Sequence, residues 1–88
     1  MANPYLLETL RGTLAANRLH IATLINDLSR TVDTLTADIE HEELLAGVGD
    51  VSDPTYPVLA RSLRTRRDNI GTTVASLEAL LQETSKAA

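Results

Sequence analysis

Four arginines fall within seven residues, Arg61, Arg64, Arg66 and Arg67. Such a cluster has the chemistry to grip phosphate or nucleic acid. A second charged run, Asp38-Ile39-Glu40-His41-Glu42-Glu43, holds the densest set of acids. Its Asp38 and His41 stand three apart, the spacing by which one helix can offer a carboxylate and an imidazole to a bridged metal pair. His20 has no carboxylate or nucleophile at helical spacing, and no motif around Ser29, Ser52, Ser62, Ser76 or Ser85 marks a nucleophile. Gly47 and Gly49 lack the preceding strand and the spacing of a phosphate loop. No catalytic residue, cofactor motif or complete metal set emerges, and an enzyme is not expected.

Charge placement favours a plainer role for both runs. Residues 1–53 carry nine acids and three arginines, whereas residues 54–88 carry five bases and three acids. The halves are complementary, so the arginines are expected to pair with the acids of the same chain. Asp68, four residues after Arg64, is a further partner. The net charge of −4 and the lack of aromatic residues among the arginines count against nucleic acid. A regulator that binds nucleic acid through Arg61–Arg67 and a metal-binding helical bundle are carried as alternatives.

The elements that position these residues are two helices around a turn. Residues 47–57, Gly-Val-Gly-Asp-Val-Ser-Asp-Pro-Thr-Tyr-Pro, hold two of the four glycines and two of the three prolines. Before them, Asn3-Pro4 is a helix start. A heptad-like seam follows: Leu7, Leu10, Leu14, Asn17, Ile21, Leu24, Leu28, then Val32, Leu35, Ile39. The step of four from Leu28 to Val32, where three is due, reads as a stutter. Gly47 suits the left-handed capping conformation. The first helix should span about 4–46 and the turn 47–53. Asp53-Pro54 then predicts a second helix over about 54–85, with Pro57 in its first turn. Its seam is Tyr56, Ala60, Leu63, Arg67, Ile70, Val74, Leu77, Leu81. Ser85 to Ala88 should fray.

The expected fold is therefore all-α: one domain over residues 1–88, an antiparallel, coiled-coil-like two-helix hairpin that pairs into a four-helix bundle as a homodimer. A break at Gly12 or Gly71 would give a three-helix bundle instead. A turn centred near residue 51 sets residue i opposite about 102 − i. That pairs Leu63 with Ile39, Ile70 with Val32, Val74 with Leu28, Leu77 with Ile25 and Leu81 with Ile21. Threonines are frequent in both helices, and β-branched residues are mediocre helix formers, so packing must carry the helicity. Asn17 and Arg67 interrupt otherwise apolar seams and are candidates for fixing register.

With 88 residues, a single core is marginal and a partner often completes the burial. The absence of cysteine excludes disulfides and thiolate metal sites and fits a cytoplasmic setting. No signal peptide is expected, and no apolar run approaches the roughly 18 residues of a membrane span. The longer first helix should overhang the second. Residues 4–16 would then lack a partner within the hairpin while carrying Tyr5, Leu6, Leu7, Leu10 and Leu14. Exposed apolar stripes of this kind mark interaction sites. The expected function is a small protein–protein interaction or oligomerisation module, a homodimer with room for a heterologous protein partner.

Overall fold

The computed structural model describes residues 4–87, with side chains as far as Thr84. Two helices pack against each other: α1 (Pro4–Ala46) and α2 (Val58–Ala87). There is no strand among the described residues. The Asn3 cap and the side chains of the expected frayed tail lie outside the described residues. Both helices run unbroken through their glycines. Nothing lies within 4 Å of where a Cβ would stand on Gly12 or Gly71, so neither glycine marks a tight crossing or a break.

Pairing across the hairpin is antiparallel. Arg64 meets Glu43, while Gly71 and Val74 share a groove with Ser29, Val32 and Asp33; numbers rise along one helix as they fall along the other. The groove lies within a residue or so of the expected pairs Ile70–Val32 and Val74–Leu28. Arg64 departs from expectation. The 102 − i register sets it opposite residue 38, and it instead reaches Glu43, five residues nearer the turn.

Burial reveals the true seams. On α2, Ala60 is buried and Leu63, Arg67, Ile70, Val74, Leu77 and Leu81 are half-buried, as the heptad spacing predicts. On α1 the phase differs. The seam runs through Arg18, Ile21, Ile25, Leu28, Val32, Leu35, Ile39 and Glu42, which alternate by three and four without a stutter, and Ser29, Thr31, Thr36 and Glu43 are half-buried beside it. Leu24 is 38% exposed, and Asn17 is exposed while its neighbour Arg18 occupies the seam. The expected stutter comes from threading the seam through Leu24 instead of the adjacent, equally apolar Ile25.

Burial is also graded along the rod. Among the described residues, Leu35, Ile39, Tyr56 and Ala60 are the buried apolar ones, all at the turn end. Further from the turn the seams are only half-covered, as two helices can do no more. Residues 4–17 are exposed throughout. Threonine hydroxyls along both helices donate to the carbonyl four residues back, among them Thr23, Thr36 and Thr72, which satisfies the hydroxyl without leaving the helix.

The connection is built from local hydrogen bonds. Gly47 has φ of 70°, a conformation costly for any residue with a Cβ. Its N–H donates to the Leu44 carbonyl and that of Val48 to the Glu43 carbonyl, both at 3.2 Å, the Schellman pattern that closes a helix. Two aspartates then make successive Asx turns. Asp50 accepts from the N–H and hydroxyl of Ser52, and Asp53 does the same for Thr55. These turns displace the start of α2 from about residue 54 to Val58. Asp53-Pro54 serves the connection, and Pro57 precedes the helix with its carbonyl accepting from Arg61 N–H at 3.1 Å.

Candidate functional site

Two surfaces hold the residues singled out by chemistry, one at each end of the rod. At the turn end, Tyr56 is 4% exposed and anchors two of the four arginines. Arg64 Nε donates to the Tyr56 hydroxyl at 2.7 Å, and Arg64 Nη2 donates to Glu43 Oε1 at 2.9 Å. Arg64 thereby ties the connection, α1 and α2 together. The hydroxyl, and then Glu43, hold its guanidinium charged above the ordinary arginine value. Arg61 Nη2 donates to the Val51 carbonyl at 2.9 Å, and its guanidinium carbon lies 5.4 Å from the centre of the Tyr56 ring, within cation–π range. Arg64 stands 5.8 Å from the same centre. Its bond to the hydroxyl already sets that distance, so the polar contact dominates there.

The other two arginines do not join this cluster. Arg66 is exposed. Arg67 occupies the seam with 24% of its side chain exposed, and its Nε lies 3.6 Å from Asp68 Oδ1. Its stem packs while its head reaches outward. Asp68, expected to partner Arg64, thus sits by Arg67. The cluster divides: Arg61 and Arg64 share Tyr56, while Arg66 and Arg67 stand apart from it. Arg64 is committed to the fold in a way the charge pattern alone did not reveal. The missed signal is Tyr56, an aromatic hydroxyl eight residues earlier.

Of the acidic run, Glu43 is the member bound to an arginine, and its carboxylate also lies over the connection, 3.5 Å from where a Cβ on Gly49 would stand. Asp38, Glu40 and His41 are exposed. Among the described residues, no group of three or more His, Cys, Asp or Glu is placed to hold a metal ion, and no helix is long and apolar enough to cross a membrane.

At the open end, Tyr5 is 79% exposed, Leu6 57%, Leu7 43%, Leu10 50% and Leu14 49%. The overhang extends straight beyond α2 instead of folding back at Gly12. At 1.5 Å per residue it projects about 21 Å. Leu7, Leu10 and Leu14 alternate by three and four and so share one helix face. The turn end also exposes large apolar residues, but as consecutive pairs, Leu44–Leu45 and Val58–Leu59, whose members point in different directions. The groove between the helices, at Ser29, Val32, Asp33, Gly71 and Val74, has a volume of about 270 Å³ and collects no acid–base pair suited to catalysis. No protein-family model matches the chain, and no curated protein or solved structure proved similar to it.

Proposed function

We propose that the protein is a non-enzymatic helical interaction module whose working surface is the apolar overhang of α1, and that it self-associates there as a homodimer. The observation that carries this reading is the exposure of Tyr5, Leu6, Leu7, Leu10 and Leu14 on a helix continuous with the hairpin. Apolar stripes in water are uncommon on monomers and mark contact sites. Two hairpins lying side by side along their whole length would build a four-helix bundle. That arrangement requires a face along the full length of both hairpins, whereas joining at the overhang requires only the stripe that carries the exposed leucines, and the end-joined dimer is the simpler of the two.

Light scattering tests the reading. Wild type should have twice the chain mass, and Leu7→Glu/Leu10→Glu should be monomeric with unchanged helicity in the hairpin. Wild-type protein that stays monomeric at millimolar concentration overturns self-association. An arginine-based nucleic-acid function is weakened by the commitment of Arg64 to Tyr56 and Glu43. Salt-sensitive retention on heparin would revive it.

A further inference from the structure

The outer stripe of α1 continues past the overhang. Leu7, Leu10 and Leu14 are followed at the same spacing by Asn17, Ile21 and Leu24; Asn17 and Leu24 are exposed, and Ile21 stands at the border with the seam that faces α2 and is half-buried there. The intervals are three, four, three, four, three, the same read from either end. A face with that symmetry can mate with a second copy of itself running the opposite way. When residue i lies opposite 31 − i, Leu7 meets Leu24, Leu10 meets Ile21, and Leu14 meets Asn17, each contact occurring twice.

We infer that two copies join through this face as an antiparallel α1–α1′ pair, with the two-fold axis between Ala15 and Ala16. This rests on the self-association proposed above and specifies its geometry. Leu24 is 38% exposed although it lies within the paired part of the hairpin, because the seam facing α2 runs through Ile25. The dimer gives Leu24 a partner. Asn17, exposed and off the intramolecular seam, falls beside the axis. The two Asn17 positions are offset by about 4.5 Å along the helix direction. A carboxamide both donates and accepts, so the pair can bond to each other and penalise a slipped register, as a buried asparagine does in coiled coils.

Charge selects the same direction. A parallel pair sets Glu8, Arg11 and Arg18 each against its own copy. The antiparallel register sets Glu8 against Thr23, Arg11 against His20 and Arg18 against Thr13, so no acid meets an acid and no arginine an arginine. Area agrees. The chain exposes 6529 Å², whereas a compact folded monomer of 9.5 kDa exposes about 5,000 Å². The excess of about 1,500 Å² is spread along the rod, and it leaves room for the roughly 800 Å² that each partner of a standard interface contributes.

A nitroxide on Arg30→Cys, an exposed site outside the contact, reads the geometry by pulsed dipolar spectroscopy. The inferred register separates the two Arg30 positions by about 45 Å along the axis, whereas a side-by-side bundle or a parallel pair brings them within about 15–20 Å. A dimer with the short distance overturns this geometry and leaves self-association standing; a monomer overturns both. Leu7→Lys and Leu24→Glu supply the second check. Each alone should be monomeric, and a one-to-one mixture should dimerise, because the introduced ammonium of one chain then meets the introduced carboxylate of the other. No recovery on mixing overturns the pairing.

Discussion

The turn end and the open end of the rod are made from similar residue types and behave oppositely. At the turn end a short connection forces the helices together. Leu35, Ile39, Tyr56 and Ala60 are enclosed, and Arg64 bridges the connection to both helices. At the open end α1 outruns α2, and leucines at the same heptad spacing stay in water. The contrast teaches that heptad pattern specifies a face and that only chain connectivity specifies what covers it. Stability of the hairpin should therefore reside at the turn end and association at the open end.

The largest effect that would break this division concerns Ile39, 1% exposed. Ile39→Ala should cost about 2–4 kcal/mol in urea unfolding, while Leu7→Ala measured in dilute monomer should cost under about 0.5 kcal/mol. Equal losses would erase the distinction between the ends. Next comes Arg64. Its pair with Glu43 keeps 30% and 17% of the two side chains exposed, and the bond to Tyr56 is lost with it. Arg64→Ala should cost about 1–2 kcal/mol, more than an exposed pair. Tyr56→Phe, which keeps the Arg64–Glu43 pair, should lose only the hydroxyl's share. A loss indistinguishable from that of Arg66→Ala would show that the bridge contributes nothing.

Glycines sharpen the comparison with opposite signs. Gly47→Ala should destabilise by about 1 kcal/mol through its positive φ. Gly71→Ala, with open space around the new methyl, should stabilise by about 0.5–1 kcal/mol. A stabilising Gly47→Ala would mean that the helix closes differently. The smallest effect is that of acid. Hydrogen bonds from the Ser52 hydroxyl and N–H hold Asp50 below the ordinary aspartate value, and the N–H and hydroxyl of Thr55 do so for Asp53. A depressed carboxylate stabilises the fold fully above its unfolded value and loses that contribution as pH falls through the folded one. The urea midpoint should thus decline below about pH 4, and Asp50→Asn/Asp53→Asn should flatten the part of that decline due to the two turns.

Much of this is legible from residue spacing. The α2 seam appears as predicted because most of its apolar positions stand without an apolar neighbour of equal weight, Leu59–Ala60 and Leu80–Leu81 being the exceptions. On α1, Leu24 and Ile25 are adjacent and equally apolar, so spacing alone cannot decide which faces α2. The structure assigns Ile25 to the hairpin and leaves Leu24 on the outer stripe. Sequence misplaces the start of α2 because Asp followed by Pro serves equally as a helix cap and as an Asx turn. The threonine two residues after Asp53, bonding back to its carboxylate, decides for the turn. Charge complementarity predicts that Arg64 finds an acid, and it does. Which acid depends on the reach of a long side chain around Tyr56, which helical register does not encode.

The outline of the rod, 69 × 17 × 15 Å, governs how the molecule moves. Its radius of gyration of 19.9 Å compares with about 12 Å for a compact chain of this length, and it matches a globule of roughly three hundred residues. A single hairpin therefore diffuses and elutes like a heavier sphere, and it tumbles fast about its long axis and slowly end over end. Hydrodynamic radius alone would mistake the lone chain for an assembly; shape and mass part company in this molecule.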